Sequence, residues 1–566
     1  MKKLFSFIFC LTLSIVPGRA QPAPPFSWDD ATVYFVVTDR FLNGDPSNDH
    51  AYGRGFDPRG DPYPADAIGH IHGGDLKGVM QKIEEGYFES LGVNVLRITN
   101  PFEQIHGWTG GRWQRYAFDG RAVLDFTRID SSLGTSEEFG RFVDIAHAHG
   151  LRVVIDATLN AAGPVTLQDM ATYQFGRFKA GTWERWRPTG GAEWGDYLAR
   201  FVDTSAPDSL WASWWGPGWV RAALPGYLPC GENARTRCLD GFSDFRTASD
   251  EPVEIPTFLL RKWGPEESRF EQMSLDDYFK QSGNPRTPRY YLIKWVTDWV
   301  KKYGIDGIHL EDASNVEPGI WALLKREGGR ALRVWKTKHP SLALDDLGFW
   351  LAGDASAVDP ETYLSHGFDA LLTDVSNDQS RSTPDSLYTA LAERSAGPGV
   401  MCAYVSSPRM GLFDRSRLIE AGTKLLLSPG EVELYYGDET ARQQVEGKPS
   451  EPVSPMNWSA IDKTVLGHWQ KMGQFRRHHP SIARGAHQKL SDLPYAFHRH
   501  YAYGGLTDDV IVVLGARGRT QLNVSHIFPS DTVLRDAYTG NIAMVSYGLV
   551  SFSPDEKGVI LIEEVK

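Results

Sequence analysis

Acidic residues stand where apolar runs of this chain stop. Leu151–Ile155 ends at Asp156, Ile308–Leu310 leads to the pair Glu311-Asp312, and Phe349–Ala352 leads to Gly353-Asp354. If the runs are strands, these carboxylates line one rim of a sheet, a usual place for catalytic groups. The segment Asn43-Gly44-Asp45-Pro46-Ser47-Asn48-Asp49 is a second cluster. Its dense oxygen donors suit a hard cation such as Ca2+. The same residues also suit a turn capped by Asx side chains, and both readings stand. Cys230 and Cys238 bracket Gly231–Arg237 and would staple a small loop in an oxidising compartment. Cys402 lies in the apolar run Val400–Val405 and reads as a core thiol. No cysteine has zinc-like spacing to histidine, and the pairs His478-His479 and His70/His72 read as loop and helix-cap residues.

The elements that must position these groups alternate between strand and helix. Val33–Val37 and Asn94–Ile98 read as strands. Ser136–His149, Tyr290–Tyr303 and Pro318–His339 have helical spacing, and Gly150 and Gly304 close the first two. Such alternation argues for βα units around a parallel sheet. From Ala162 to Asp250 the rhythm breaks into a segment rich in Trp, Gly and Pro, which reads as an insert between a strand and its helix. After about Ile482 the short runs Val510–Leu514, Thr532–Arg535 and Val559–Ile562 read as a small all-β domain.

Composition narrows the function. The 566 residues carry a net charge of −12, which argues against nucleic acid as a partner. Aromatic residues make up 12%, including 18 Trp and 22 Tyr, and either stack on sugar rings or fill a large core. Lys2-Lys3, the apolar run Leu4–Val16 and the small residues Gly18 and Ala20 read as a secretory signal over residues 1–20. No later run approaches a membrane span, so a periplasmic or secreted protein is expected.

Seven phrases carry a resemblance in their order: Ala31–Asp49, His72–Gly78, Pro101–Trp108, Tyr303–Gly307, His366–Ala370, Tyr435–Glu439 and Met456–Trp458. In these the chain resembles the α-amylase family of glycoside hydrolases. The resemblance implies a (β/α)8 TIM barrel over residues 27–161 and 251–482. It also implies an inserted domain over 162–250 after the third strand and a C-terminal β-domain over 483–566. The implied ligand is an α-glucan or maltooligosaccharide, with Trp108, Asp156 and His309 in the binding groove.

The catalytic positions depart from the family pattern. A retaining glycosidase needs a carboxylate nucleophile and a carboxylic acid flanking the scissile bond. The family's nucleophile motif, Gly-apolar-Arg-x-Asp, here reads Gly307-Ile308-His309-Leu310-Glu311. Strand alternation gives Glu311 the direction of the nucleophile and His309 that of the Arg. Its extra methylene moves the carboxylate by roughly 1 Å, a misplacement that can cost about 10²-fold. The family's Gly-Glu acid is Gly353-Asp354, one methylene short. Where a third Asp is expected stands Arg409, after Pro408 in place of a His. A cation there opposes an oxocarbenium-like transition state. Ala161 replaces another His, and a sugar-stacking Tyr falls at Gly120, next to Arg121.

The resemblance also implies calcium at one or two sites. In the first, a Gly-Gly-Asp turn completes the loop, giving Asn43, Asp45, Asn48, Asp49, Asp75 and the Gly73 carbonyl. In the second, between barrel and insert, the ligands are Asn160, Asp244 and the Asn315 carbonyl. Three functions follow as candidates. One is an exported α-glucan-binding protein with little or no hydrolysis, its carboxylates Glu311 and Asp354 paired with Arg409. Another is an active hydrolase or transglycosylase with an altered nucleophile/acid pair. The third is an interaction scaffold without a sugar ligand.

Overall fold

The computed structural model describes residues 25–54, 69–109, 115–179, 200–203, 205, 211–238, 242–354, 358–375, 383–395, 400–445 and 453–565. The secretory-signal segment 1–20 lies outside them. The described chain forms two compact units, Phe26–His487 and Gln488–Lys566.

The first unit is built on a closed parallel barrel of eight strands. They are β1 (Thr32–Val36), β2 (Val95–Ile98), β3 (Arg152–Thr158), β4 (Gly307–Glu311), β5 (Trp350–Asp354), β6 (Ala370–Asp374), β7 (Val400–Tyr404) and β8 (Val432–Tyr435). Each strand pairs with its sequence neighbours, and β1 closes the ring on β8, Thr32 opposite Val432. Burial on both faces explains the near-continuous apolar runs, since helices cover the outside. Alternate residues fill the lumen: Val33, Val95, Val154, Trp350, Ala352, Ala370, Leu372, Cys402 and Tyr404 form one buried cluster. Continuing that alternation toward the C-terminal ends brings Asp156, Glu311, Asp354 and Asp374 to the same side. β3 runs two residues beyond Asp156, so Asp156 lies inside the ladder, opposite His309, and not at the strand end where the apolar run had placed it.

Local signals set the surrounding helices. Thr135 and Glu138 make a capping box at the start of Ser136–Ala148. Pro288 opens Pro288–Tyr303, and Gly304, at φ +78°, closes it. A Cβ on Gly304 would stand 2.3 Å from the Trp335 ring, so this close approach needs glycine.

The insert contributes a small antiparallel sheet, Ala161–Ala162 with Ser243–Phe245 with Val220–Arg221. Its described Trp residues are core: Trp211, Trp214 and Trp215 are each 1% exposed. Trp215 packs edge-on against Phe245 and Phe258, and Trp219 stacks on Trp295 at 5.7 Å. These described aromatic residues are therefore spent on packing within the insert and against the barrel helices. Cys230 and Cys238 are joined, Cα to Cα 5.4 Å, and Cys402 is buried in the barrel lumen.

The second unit is all-β, with a six-stranded sheet and a two-stranded one around a core that includes Ile511, Val513, Phe528, Val550 and Ile560. The helix Pro480–Arg484 precedes it, so the change of unit falls at His487 and not at residue 482. No helix among the described residues is long and apolar enough to cross a membrane.

Candidate active site

The C-terminal ends of the barrel strands gather carboxylates and guanidinium groups in one basin. At its floor Arg97, from β2, donates to Asp156 Oδ1 at 2.6 Å and to both oxygens of Glu433 on β8 at 3.0 and 2.9 Å. Its guanidinium also covers the Phe35 ring at 3.9 Å. All three ionic groups are buried, so each needs the others to remain charged. Burial pushes the Asp156 carboxyl up, but Arg97 and His309 hold it below the usual range. His309 Nδ1 lies 3.2 Å from Asp156 Oδ1, and its Nε2 lies 3.9 Å from Asp354 Oδ1. His309 thus stands between the two carboxylates.

Glu311 ends β4 above this floor. Its Oε1 lies 3.4 Å from Arg121 Nη2, while Oε2 is buried without a hydrogen-bond partner. Burial raises its carboxyl to about 7, against the lowering pull of Arg121 and with further upward pressure from Asp156 and Asp312. Arg121 comes from the loop after Asp119, and the backbone explains its prominence. Gly120 has φ +80°, and a Cβ there would stand 2.6 Å from Asn100 Cβ and 2.8 Å from Asn100 N. An aromatic side chain at 120 would need the backbone to move, and the next residue faces Glu311 instead.

Arg409 closes the other side. It donates to Asp312 Oδ1 at 2.7 Å and lies 3.7 Å from Asp354 Oδ2. Among the described contacts the counter-ion of Glu311 is Arg121, so the pairing of Glu311 with Arg409 expected from sequence is replaced. Asp312 adopts a left-handed conformation, φ 49° and ψ 36°, at the cap of the turn Ala313–Asn315. That turn swings its carboxylate to the rim beside Arg409. Strand alternation alone does not bring Asp312 to Arg409, because the left-handed residue breaks the alternation. Arg97 and Glu433 were also missed. The available signal was a charged residue inside each of two otherwise apolar strands.

Trp108 is buried, with one ring face stacked on His70 at 4.6 Å and its edge on Tyr116 at 5.0 Å.

Of the residues expected around the inner calcium, Asn160 and Asp244 are brought together. The strand pairing sets Asp244 opposite Ala161, and Phe245 N donates to the Asn160 carbonyl. Asn160 Oδ1 and Asp244 Oδ2 are buried with no hydrogen-bond partner. Burial raises the Asp244 carboxyl to about 8, with Arg221, 3.6 Å away, pulling the other way. Two orphaned buried oxygens are what a hard cation would satisfy. Asn315 is buried at the turn after β4, its N–H bonded to the Asp312 carbonyl at 2.8 Å.

The outer loop divides. Asp75 caps the helix Leu76–Glu84, accepting from Gly78 N at 2.7 Å and from Asp45 N at 2.7 Å. Asp45 takes the Lys77 ammonium. Both are engaged as Asx caps and ion pairs. Asn43 and Asp49 bond each other at 2.8 Å beneath Gly73, whose Cβ position would fall 2.4 Å from Asp49 Oδ1. Asn43 Oδ1 and Asn48 Oδ1 are buried and unpartnered. So Asn43, Asn48, Asp49 and Gly73 remain able to face a cation, and Asp45 and Asp75 shape the loop.

Comparison with known proteins agrees with this architecture. The family model described as "Alpha amylase, catalytic domain" matches residues 35–191. The periplasmic alpha-amylase of Escherichia coli (strain K12) is 37% identical over 532 residues, covering 88% of this chain and 74% of that protein. Among solved structures, the Anoxybacillus alpha-amylase superposes with a TM-score of 0.61 at 18% identity, over 96% of this chain and 99% of that one. The Geobacillus thermoleovorans alpha-amylase, solved with acarbose, gives 0.60 at 17% identity with the same coverages. At these identities the two structures speak for the fold.

Proposed function

Because this chain belongs to the α-amylase family of glycoside hydrolases, we propose that it is an exported protein that binds α-1,4-glucans or maltooligosaccharides with weak or no hydrolysis. The observation that carries the reading is the pairing of carboxylates with arginines at the barrel rim: Glu311 with Arg121, and Asp312 and Asp354 with Arg409. A carboxylate engaged by a guanidinium is a poorer nucleophile. A cation beside the anomeric carbon raises the energy of an oxocarbenium-like transition state. The positions that the resemblance assigns to nucleophile, acid and stabiliser are Glu311, Asp354 and Arg409. Export is supported by the signal-like residues 1–20 and by the periplasmic relative.

Calcium belongs to the same proposal. Asn160, Asp244 and the Asn315 carbonyl would hold one ion, and Asn43, Asn48, Asp49 and the Gly73 carbonyl a second. Such an ion supplies positive charge that orders oxygen-rich loops. The chain's own residues do the rest at the groove. Arg97 orients Asp156 and Glu433, and His309 stands between Asp156 and Asp354.

A second reading, an active hydrolase with its pair rearranged, is favoured by one observation. Glu311, with its carboxyl raised to about 7, has the protonation behaviour of a general acid near neutrality. One experiment separates the readings. Wild type and a Glu311→Asp/Asp354→Glu/Arg409→Asp variant are assayed on starch, maltooligosaccharides and an aryl maltoside, and maltooligosaccharide binding is measured by calorimetry. Binding in both with turnover only in the variant is the expected result. Wild-type turnover well above a blank would replace the first reading by the second. Absence of binding in both would leave a scaffold without a sugar ligand.

A further inference from the structure

The C-terminal unit carries a cluster that sugar chemistry does not use. Strands Tyr495–Tyr503 and Leu506–Leu514 form a hairpin in full antiparallel register, with His500 opposite Asp509 and His498 opposite Ile511. Gly504 and Gly505, at φ +59° and +83°, supply the two-residue turn. Alternation puts His498 and His500 on one face, and the register puts Asp509 on that face too. Asp509 Oδ1 lies 2.8 Å from His498 Nε2 and 2.8 Å from His500 Nδ1. Ligand atoms of the three residues all fall within 4.8 Å of one another, and among the described residues this is the one group of three His, Cys, Asp or Glu side chains so arranged.

We propose that His498, His500 and Asp509 bind one divalent transition-metal ion of the zinc class. Two imidazole nitrogens and one carboxylate are the donor set of borderline ions such as Zn2+, Co2+ and Ni2+, whereas Ca2+ and Mg2+ take oxygen. With metal–ligand bonds of about 2.0–2.1 Å, tetrahedral donors stand about 3.3 Å apart. The observed 2.8 Å contacts open to that by small side-chain rotations. The surroundings also suit an ion that enters from solvent. The same face begins in the core at Ala496, Ile511 and Val513. Toward the turn its side chains become steadily more exposed, with His498 at 11%, Asp509 at 22% and His500 at 48%. The inner ligand is held by packing, and the outer one is about half exposed to solvent. Ligands from both strands would make the ion a cross-strand staple near the hairpin turn. This inference is independent of the barrel basin and of the calcium candidates.

The test uses the full-length protein, stripped with chelator and held in excess Ca2+ so that all-oxygen sites are filled. Zn2+ is titrated by calorimetry, and Co2+ is followed by its d–d absorption. One equivalent of Zn2+ and Co2+ bands of a nitrogen- and oxygen-liganded site are expected. His500→Gln and Asp509→Asn should each weaken binding roughly ten-fold or more, at least the effect of losing a ligand's outer partner. His500 is exposed, so its variant keeps the fold, which the metal-free thermal melt verifies. Absence of saturable Zn2+ binding and of Co2+ bands, or affinity unchanged in both variants, would overturn the proposal.

Discussion

Glu311 is a buried acid whose proton is linked to folding. Its carboxyl titrates near 7 in the folded chain, against an ordinary 4.5. Between those values the folded protein holds a proton that the unfolded chain has released. Stability therefore falls as pH rises through that window, and the loss is complete above about 7. Glu311→Gln removes the titration. The variant should match wild type near pH 4 and exceed it at pH 8 by on the order of 3 kcal/mol in denaturant unfolding. Identical pH profiles for the two proteins would contradict the assignment. Arg97 has the opposite character. It pairs with two buried carboxylates, and Arg97→Met should cost about 3–5 kcal/mol because Glu433 is left unpaired and Asp156 keeps only His309. Much of this site was legible in the sequence. Family phrases and strand alternation located Asp156, His309, Glu311 and Asp354. The ion pairing was not legible, because it depends on the positive φ of Gly120 and Asp312, which no periodicity reports.

At the scale of elements, helix positions were predictable because their punctuation is chemical: Thr135 with Glu138, Pro288 and Gly304 mark ends by hydrogen bonding or allowed φ. The extension of β3 past Asp156 was not, since hydrophobicity ends where the polar lumen begins while the hydrogen-bond ladder continues. Close packing of elements turns on individual glycines. In the helix Lys463–His478, a Cβ on Gly473 would stand 1.9 Å from the Leu91 carbonyl oxygen, whereas a Cβ on Gly467 meets nothing within 4 Å. Gly473→Ala should cost about 1–3 kcal/mol through forced separation of the helix from that loop. Gly467→Ala, on the same helix, should gain about 0.5–1 kcal/mol. Paired thermal melts check both signs, and equal effects would refute the packing argument.

At the scale of the molecule, the proposed inner calcium would tie distant segments to one another, since Asn160, Asp244 and Asn315 lie on the third strand's loop, the insert and the turn after the fourth. A chelator should lower the melting temperature, with about 2.7 kcal/mol lost when the free ion had stood a hundredfold above its Kd. Asp244→Ala should remove most of the chelator effect, and an unchanged melt in chelator would count against both ions. The ring of strands has a further consequence. Thr32 meets Val432, so the first strand keeps an unpaired edge until almost the whole barrel sequence is available. Closing so long a loop is slow, and an open edge invites pairing with other chains. Any chain that ends before β8, through early termination or proteolysis, keeps two open edges and should aggregate. A precursor exported as proposed above would meet the same hazard, which favours folding only after the last strand has crossed.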